Sequence, residues 1–194
     1  MDRDYEPLRI RELGASAGFR RPLPPPAARV TLESPAAQVM TDLACCAPAT
    51  IRPQAPLAGA NQFMITRGVR LLLVVDERDV ILGLITATDL LGERPMQVAT
   101  GRGLRRDELS VADIMTPAAE IEVIDLADVE ASRVGHVLET LRRLGRQHAL
   151  VADRGNTVCG IFSISQIARQ LGLELPSGGS VARTFSEIEA ALSK

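Results

Sequence analysis

Thr86, Thr88 and Asp89 carry the most pointed chemistry in this sequence. They follow the apolar run Ile81-Leu82-Gly83-Leu84-Ile85 and lead into Leu90-Leu91. A strand ending at Thr86 delivers its hydroxyl to the mouth of a helix. The first backbone N–H groups there have no intrahelical partner and attract anions. Thr86 and Thr88 are placed to donate to phosphate oxygens, and Asp89, one turn in, to accept both hydroxyls of a ribose. A second reading has equal chemical content. Thr86-x-x-Asp89 has nearly the spacing of a capping box, in which two residues satisfy each other's backbone donors and no ligand is needed.

A weaker copy lies downstream, Val158-Cys159-Gly160-Ile161-Phe162-Ser163-Ile164-Ser165-Gln166. Gly83 and Gly160 are 77 positions apart (160 − 83), as are Asp76 and Asp153 in Leu73-Val74-Val75-Asp76 and Leu150-Val151-Ala152-Asp153. Val39-Met40-Thr41 answers to Ile114-Met115-Thr116 at 75 positions (115 − 40). One unit of roughly 60 to 65 residues has been used twice. Ser163-x-x-Gln166 keeps capping-box spacing, yet an amide lacks the carboxylate that grips two ribose hydroxyls. The expectation is asymmetric. One site is anchored by Thr86, Thr88 and Asp89, and another, anchored by Ser163 and Ser165, is weak, empty or altered in preference.

The elements that must position these residues follow from pattern. Val30-Thr31-Leu32 reads as a short strand, and so does Thr50-Ile51. Pro56 opens a helix with Leu57, Ala60, Phe63 and Met64 on its apolar face, and Gly68 ends it. Leu71 to Val75 is a continuous apolar strand, as expected when both faces are covered. A polar turn, Asp76 to Asp79, leads to a strand from Val80 to Ile85. Gly92 to Leu109 reads as a linker, partly helical near Pro95, with Arg102, Arg105 and Arg106 as a solvated face. In the second unit Ile121-Glu122-Val123 alternates like a half-buried strand. Val134, Val137, Leu138 and Leu141 mark a helix, with Arg142, Arg143 and Arg146 assigned to its last turn. Strands follow at Leu150 to Ala152 and Val158 to Phe162, and Ser163 starts a helix. Thr184-Phe185-Ser186-Glu187 has capping-box spacing, and Phe185, Ile188 and Leu192 form a stripe that packs on the body or on a second subunit. The first 29 residues include Arg20-Arg21-Pro22-Leu23-Pro24-Pro25-Pro26, extended chain that serves as a tail or spacer or docks to a proline-reading domain.

Bulk properties narrow the class. With no Trp and 3% aromatics, the core must be Leu, Val, Ile and Ala. A net charge of −2 leaves no basic footprint for nucleic acid or an anionic membrane. Cys45 and Cys46 are adjacent, Cys159 sits in an apolar run, and His136 and His148 are the only histidines, so neither a disulfide framework nor a zinc site is expected. The N-terminus lacks the apolar segment of a signal peptide, and no run reaches a membrane span. The expected compartment is the cytoplasm.

Val39-Met40-Thr41, Leu72-Leu73-Val74-Val75-Asp76 and Gly83-Leu84-Ile85-Thr86-Ala87-Thr88-Asp89 together resemble a CBS domain. Ile114-Met115-Thr116-Pro117, His148-Ala149-Leu150-Val151-Ala152-Asp153 and Gly160-Ile161-Phe162-Ser163 resemble a second. The pair resembles a Bateman module over residues 36–171, of a stand-alone, bacterial type. The resemblance implies an α/β fold: two tandem CBS repeats packed about a pseudo-twofold axis, each with a small sheet and helices. The expected layout is a Pro-rich extension at 1–29, repeat 1 at 30–98, a linker at 99–110, repeat 2 at 111–172, and a C-terminal loop and short helix at 173–194.

The resemblance also implies a homodimer and an adenosine-containing ligand in the clefts between repeats. AMP, ADP or ATP is expected as a regulatory ligand, with no obligatory cofactor. Arg70 and His148 stand near positions where family members place phosphate-binding side chains; each reads equally well as a helix-end cation or a packed histidine. If His148 touches phosphate, affinity rises as pH falls through its ordinary pKa of about 6.5. The adenine slot is assigned to Ile51 with Leu72, and to Val123 with Ala149. The expected function is a regulatory module that senses an adenine nucleotide and signals through a partner protein. The alternative is a dimeric interaction or scaffold protein whose clefts bind nothing. No catalytic set is recognisable, so the chain is not read as an enzyme.

Overall fold

The computed structural model describes residues 30–173 together with Phe185, Ser186 and Ile188. The Pro-rich segment, and Thr184, Glu187 and Leu192 of the C-terminal stripe, lie outside the described residues. The first repeat runs β1 (Thr41–Asp42), β2 (Thr50–Ile51), α1 (Leu57–Arg67), β3 (Leu71–Val75), β4 (Ile81–Thr86) and α2 (Ala87–Leu91). Helices α3 (Arg94–Arg102) and α4 (Val111–Ile114) connect it to the second. That repeat runs β5 (Thr116–Pro117), β6 (Val123–Asp125), α5 (Leu126–Ala131), α6 (Val134–Leu144), β7 (His148–Ala152), β8 (Val158–Ser163) and α7 (Ile164–Gln170).

The strands form two four-stranded sheets, ordered β2-β3-β4-β5 and β1-β8-β7-β6. Each repeat therefore lends its first strand to the other's sheet. Strand β1 runs antiparallel to β8, with Asp42 opposite Gly160, and β5 antiparallel to β4, with Pro117 opposite Gly83. This exchange accounts for two anchors of the sequence repeat. A Cβ on Gly83 would run into the Thr116 carbonyl oxygen, and one on Gly160 into the Met40 thioether. Glycine stands where the exchanged strand approaches.

Alternation along β3 and β7 divides the apolar residues between two layers. Leu72 and Val74 join Leu57, Ala60, Met64 and Ile85 in the core of the first repeat. Leu71, Leu73 and Val75 face the other way and meet Leu150 at the seam between the repeats. All five residues of β3 are buried, as a strand covered on both faces requires. In β7, Ala149 and Val151 join Val137, Leu141 and Phe162, while Leu150 faces the seam. His148 shares the parity of Leu150 and is placed at the edge of that seam. Each fully buried aliphatic side chain contributes about 1.5–3 kcal/mol.

The Asp anchors of the repeat hold the hairpins. Asp76 Oδ1 accepts the N–H of Arg78 (2.9 Å) and of Val80 (2.8 Å), and Asp153 Oδ1 that of Thr157 (2.9 Å). Helices α1 and α6 end at Gly68 and Gly145, both left-handed (φ 65° and 61°). Phe185 and Ile188 are buried in the core of the second repeat, so this part of the C-terminal stripe packs on the body.

Three local readings need correction. Val30-Thr31-Leu32 is not a strand but the start of a turn, in which Ser34 N–H donates to the Thr31 carbonyl (3.1 Å). The half-buried strand read at Ile121 begins only at Val123, which pairs with Leu150. Arg146 lies beyond the end of α6 rather than in its last turn.

Candidate functional site

Two clefts open at the seam, one on each side of Leu71 and His148, which line both. They have similar volumes, about 250 and 260 Å³. Pairing explains the shared position: Leu71 sits opposite Thr86 across β3–β4, and His148 opposite Ser163 across β7–β8.

The first cleft brings Thr86, Thr88 and Asp89 together with residues of the second repeat. Thr116 comes from the exchanged strand β5, Ile121 and Glu122 from the loop before β6, and Arg146 to Ala149 from the end of α6 and the start of β7. The capping box read from Thr86-x-x-Asp89 is formed. Asp89 Oδ2 accepts the Thr86 N–H (2.8 Å) and O–H (2.7 Å), and the Asp89 N–H donates to Thr86 Oγ1 (3.3 Å). Helix α2 is only five residues long, so the anion attraction of a long helix dipole is weak here. Asp89 Oδ1 is engaged only at a distance, by Arg94 at 3.8 Å. Arg146, which sequence reasoning left as a helix-end cation, lines this cleft and pairs with Glu122 at 3.2 Å. Only its place just before a strand, near the position of Arg70 in the first repeat, signalled it.

The second cleft gathers Ser163, Ser165 and Gln166 with Thr41 of the exchanged β1, Arg70 after α1, and Arg169 of α7. Arg70 thus falls with the serines and not with Asp89. The expected capping box at Ser163-x-x-Gln166 is absent: the Ser163 side chain makes no cap bond. Gln166 Oε1 instead accepts the Thr41 hydroxyl at 2.9 Å. A strand brought from the other repeat outcompetes the local contact. Cys46 also borders this cleft, as a free thiol.

His148 is held neutral. Burial pushes its pKa from an ordinary 6.5 to about 4, and the nearby Arg70 charge adds to the shift. Its Nδ1 is buried and has no hydrogen-bond partner among the described residues. Near neutral pH the imidazole offers a hydrogen bond rather than a charge, which removes the basis for the rise in affinity through pH 6.5. Ile51 and Leu72 line neither cleft. Leu72 is fully buried in the first repeat's core and Ile51 packs against it, on the face of β3 away from the seam. Ala149 lines the first cleft, while Val123 is 45% exposed.

Two repeats that complete each other's sheets around a shared seam, with a cleft on either side, define a pseudo-twofold repeat module. Residues 36–95 match the family model described as CBS domain. The first repeat thus carries a CBS domain, and the two repeats together have the fold of solved CBS-domain pairs. Solved structures of the same fold include an uncharacterized conserved protein from Pyrococcus horikoshii, at 20% identity and a TM-score of 0.56, covering 77% of this chain and 100% of that one. CBSX2 from Arabidopsis thaliana, in complex with AMP, aligns at 18% identity and a TM-score of 0.51, over 70% of this chain and 94% of that one. The CBS domain pair of protein MJ0100, in complex with 5′-methylthioadenosine and S-adenosyl-L-methionine, aligns at 21% and 0.50, over 74% and 97%. No curated protein sequence matches. Among the described residues no helix is long and apolar enough to cross a membrane.

Proposed function

We propose that this protein is a regulatory module that binds an adenosine-containing nucleotide in the first cleft and signals its occupancy through a partner protein. The observation that carries this reading is the placement of Asp89. Its Oδ2 is fixed by the capping box, leaving Oδ1 directed to Arg94 at 3.8 Å beside a cleft lined by both repeats. The cap and the ligand contact are compatible, because the cap holds the carboxylate in one orientation before a ribose arrives. Thr88 supplies a hydroxyl, that of Thr86 being engaged by Asp89 in the cap, and Ile121 with Ala149 the apolar wall for a base. AMP bound to CBSX2, and S-adenosyl-L-methionine and 5′-methylthioadenosine bound to the MJ0100 pair, support the ligand class.

A ligand in this cleft touches both repeats. It shifts their packing by as much as its affinities for the two arrangements differ. The protein acts as a homodimer in this reading. Large apolar side chains stand out on three helices of the first repeat's side, Ile65 (65% exposed), Leu91 (65%) and Met96 (62%), and supply a surface for a second copy. The alternative, a scaffold with unused clefts, is favoured by one contact, the Thr41 hydroxyl on Gln166, which occupies the group that would face a ribose in the second cleft.

A thermal-shift panel with AMP, ADP, ATP, NADH and S-adenosyl-L-methionine tests the proposal on wild type and Asp89→Asn. Asn keeps an oxygen for the Thr86 donors and loses the charge. Ligand at about 100-fold over Kd adds about 2.7 kcal/mol, a rise of roughly 5 to 10 °C in a chain of this size. The expected result is a rise with at least one of these ligands that falls sharply in the variant. A flat panel on folded wild type refutes nucleotide sensing and leaves the scaffold.

A further inference from the structure

Asp42 builds a turn that presents two thiols. It closes strand β1, and its Oδ1 accepts the Ala44 N–H (2.8 Å). Its carbonyl oxygen accepts the N–H of Cys45 (3.1 Å) and of Cys46 (3.2 Å). An Asp side chain that bonds the backbone two residues on is a strong turn former. Both thiols reach back to the same residue. Cys45 Sγ donates to Asp42 Oδ2 (3.5 Å) and Cys46 Sγ to the Asp42 carbonyl oxygen (3.4 Å). Both cysteines are exposed and free. Cysteine is among the residue types most often buried, so two adjacent exposed thiols are unusual.

The turn opposes a disulfide between them. The sulfurs would have to approach to about 2.05 Å, which the peptide between adjacent residues resists. Here both amides are also held by the Asp42 carbonyl. The hydrogen bond to the Asp42 carboxylate, together with its charge, raises the Cys45 pKa, so that thiol is slow in exchange. A chelated ion has a wider bite and leaves the backbone in place. The carboxylate that opposes a thiolate favours a cation beside it. Zinc takes four ligands, and among the described residues no three His, Cys, Asp or Glu side chains gather to hold a metal ion. A soft ion satisfied by two thiolates fits what is present.

We infer that Cys45 and Cys46 form a two-thiolate site for a soft monovalent ion of the Cu(I) class, with Asp42 holding the turn. The ion replaces the proton on each sulfur. Two S–H bonds give way to two S–metal bonds, the protons pass to solvent, and no electron moves. The site lies where the chain crosses between sheets, since β1 pairs with β8 and β2 with β3. Cys46 also borders the second cleft. A bound ion therefore stiffens the crossover at the rim of that cleft. The inference is independent of the nucleotide reading.

Anaerobic competition against bathocuproine disulfonate, a chromophoric Cu(I) chelator, tests this on the full chain. Wild type and Cys159→Ser are expected to withdraw one Cu(I) per chain from the chelator, with no change in size on gel filtration. Cys45→Ser and Cys46→Ser are each expected to lose more than the roughly 10–100-fold in affinity that removing an outer-shell partner costs. Asp42→Asn keeps an oxygen for the turn and removes the charge, and should weaken binding within that range. Zn(II) should be held far less tightly than Cu(I). Both thiols are exposed, so the serine variants keep the fold, and an unchanged urea midpoint without copper checks this. The inference is overturned if wild type leaves the copper with the chelator, or if the Cys45 and Cys46 variants bind as wild type does. It is also overturned if Cys159→Ser loses binding as they do, or if Zn(II) is held as tightly as Cu(I). Uptake of one ion per two chains would overturn it as well, since the thiols would then come from different chains.

Discussion

Gly83→Ala tests the exchanged-strand architecture, because the atom nearest an added Cβ is backbone, the Thr116 carbonyl oxygen. A Cβ at this position would overlap the Thr116 carbonyl oxygen and sit 3.1 Å from Met115 Sδ and 3.3 Å from Pro117 Cα. Strand β5 is two residues long and is held by the pairs Gly83–Pro117 and Leu84–Thr116. It has no slack to move away without breaking that pairing. Overpacking costs about 1–3 kcal/mol, and a lost backbone hydrogen bond about 0.5–1.5 kcal/mol more, for a total of about 2 to 4 kcal/mol. The matched position differs. The three atoms nearest a Cβ on Gly160 all belong to the Met40 side chain: the sulfur, Cγ at 2.8 Å and Cε at 3.0 Å. Met40 is a flexible side chain and can swing aside, so Gly160→Ala should cost about 1 kcal/mol. Urea unfolding measures both. The expected result is a clear drop in midpoint for Gly83→Ala, a small one for Gly160→Ala, and unchanged slopes. Gly160→Ala combined with Met40→Ala should be less destabilised than the two single losses sum to, since the second change removes the clash. A neutral Gly83→Ala, or equal losses at the two glycines, would refute the close approach of β5. Because β5 also places Thr116 in the first cleft, Gly83→Ala should weaken ligand binding there as well.

The half-buried, neutral His148 couples stability to pH. Its pKa is about 4 in the folded chain against 6.5 when free, so between these values the unfolded chain binds the extra proton. Stability should therefore be full above pH 6.5 and fall towards pH 4, by up to about 3 kcal/mol. His148→Leu, which copies Leu71 of the first repeat, should flatten the dependence of the urea midpoint across that window; an unchanged profile would contradict the assignment. Gln166→Asp restores to the second repeat the residue found at Asp89. It should raise adenosine stoichiometry from one to two per chain, read by equilibrium dialysis, and a folded variant that stays at one would show that the residue type does not decide ribose binding.

The regular parts of the chain were legible because their signals are long or local. The apolar run of β3, the periodicity of α6 and the glycine that ends α1 each state their structure within a few residues. The repeat was visible in matched anchors, since Asp76 with Asp153 and Gly83 with Gly160 perform matched tasks in the two halves. What stayed hidden depends on contacts distant in sequence. Strands β1 and β5 are two residues each, too short for any alternation to show, and they exchange between repeats. For that reason Gln166 was read as the partner of Ser163, three residues away, when its partner is Thr41, 125 positions away. A fully apolar strand does not disclose which of its two faces meets the seam, so nothing in the sequence separates Leu72, in the core, from Leu71, at the clefts. The place of Arg146 in the first cleft depends on α6 ending at Leu144, two residues before it.

Asp89, Thr86 and Thr88 form a site only if a ligand lies in the first cleft and spans both repeats. A crystal structure grown with the nucleotide that gives the largest thermal shift tests this most directly. The expected result is an adenosine moiety in the first cleft, its ribose hydroxyls within hydrogen-bonding distance of Asp89 and its base between Ile121 and Ala149. A ligand bound elsewhere, or a first cleft empty at saturating nucleotide, would contradict the account.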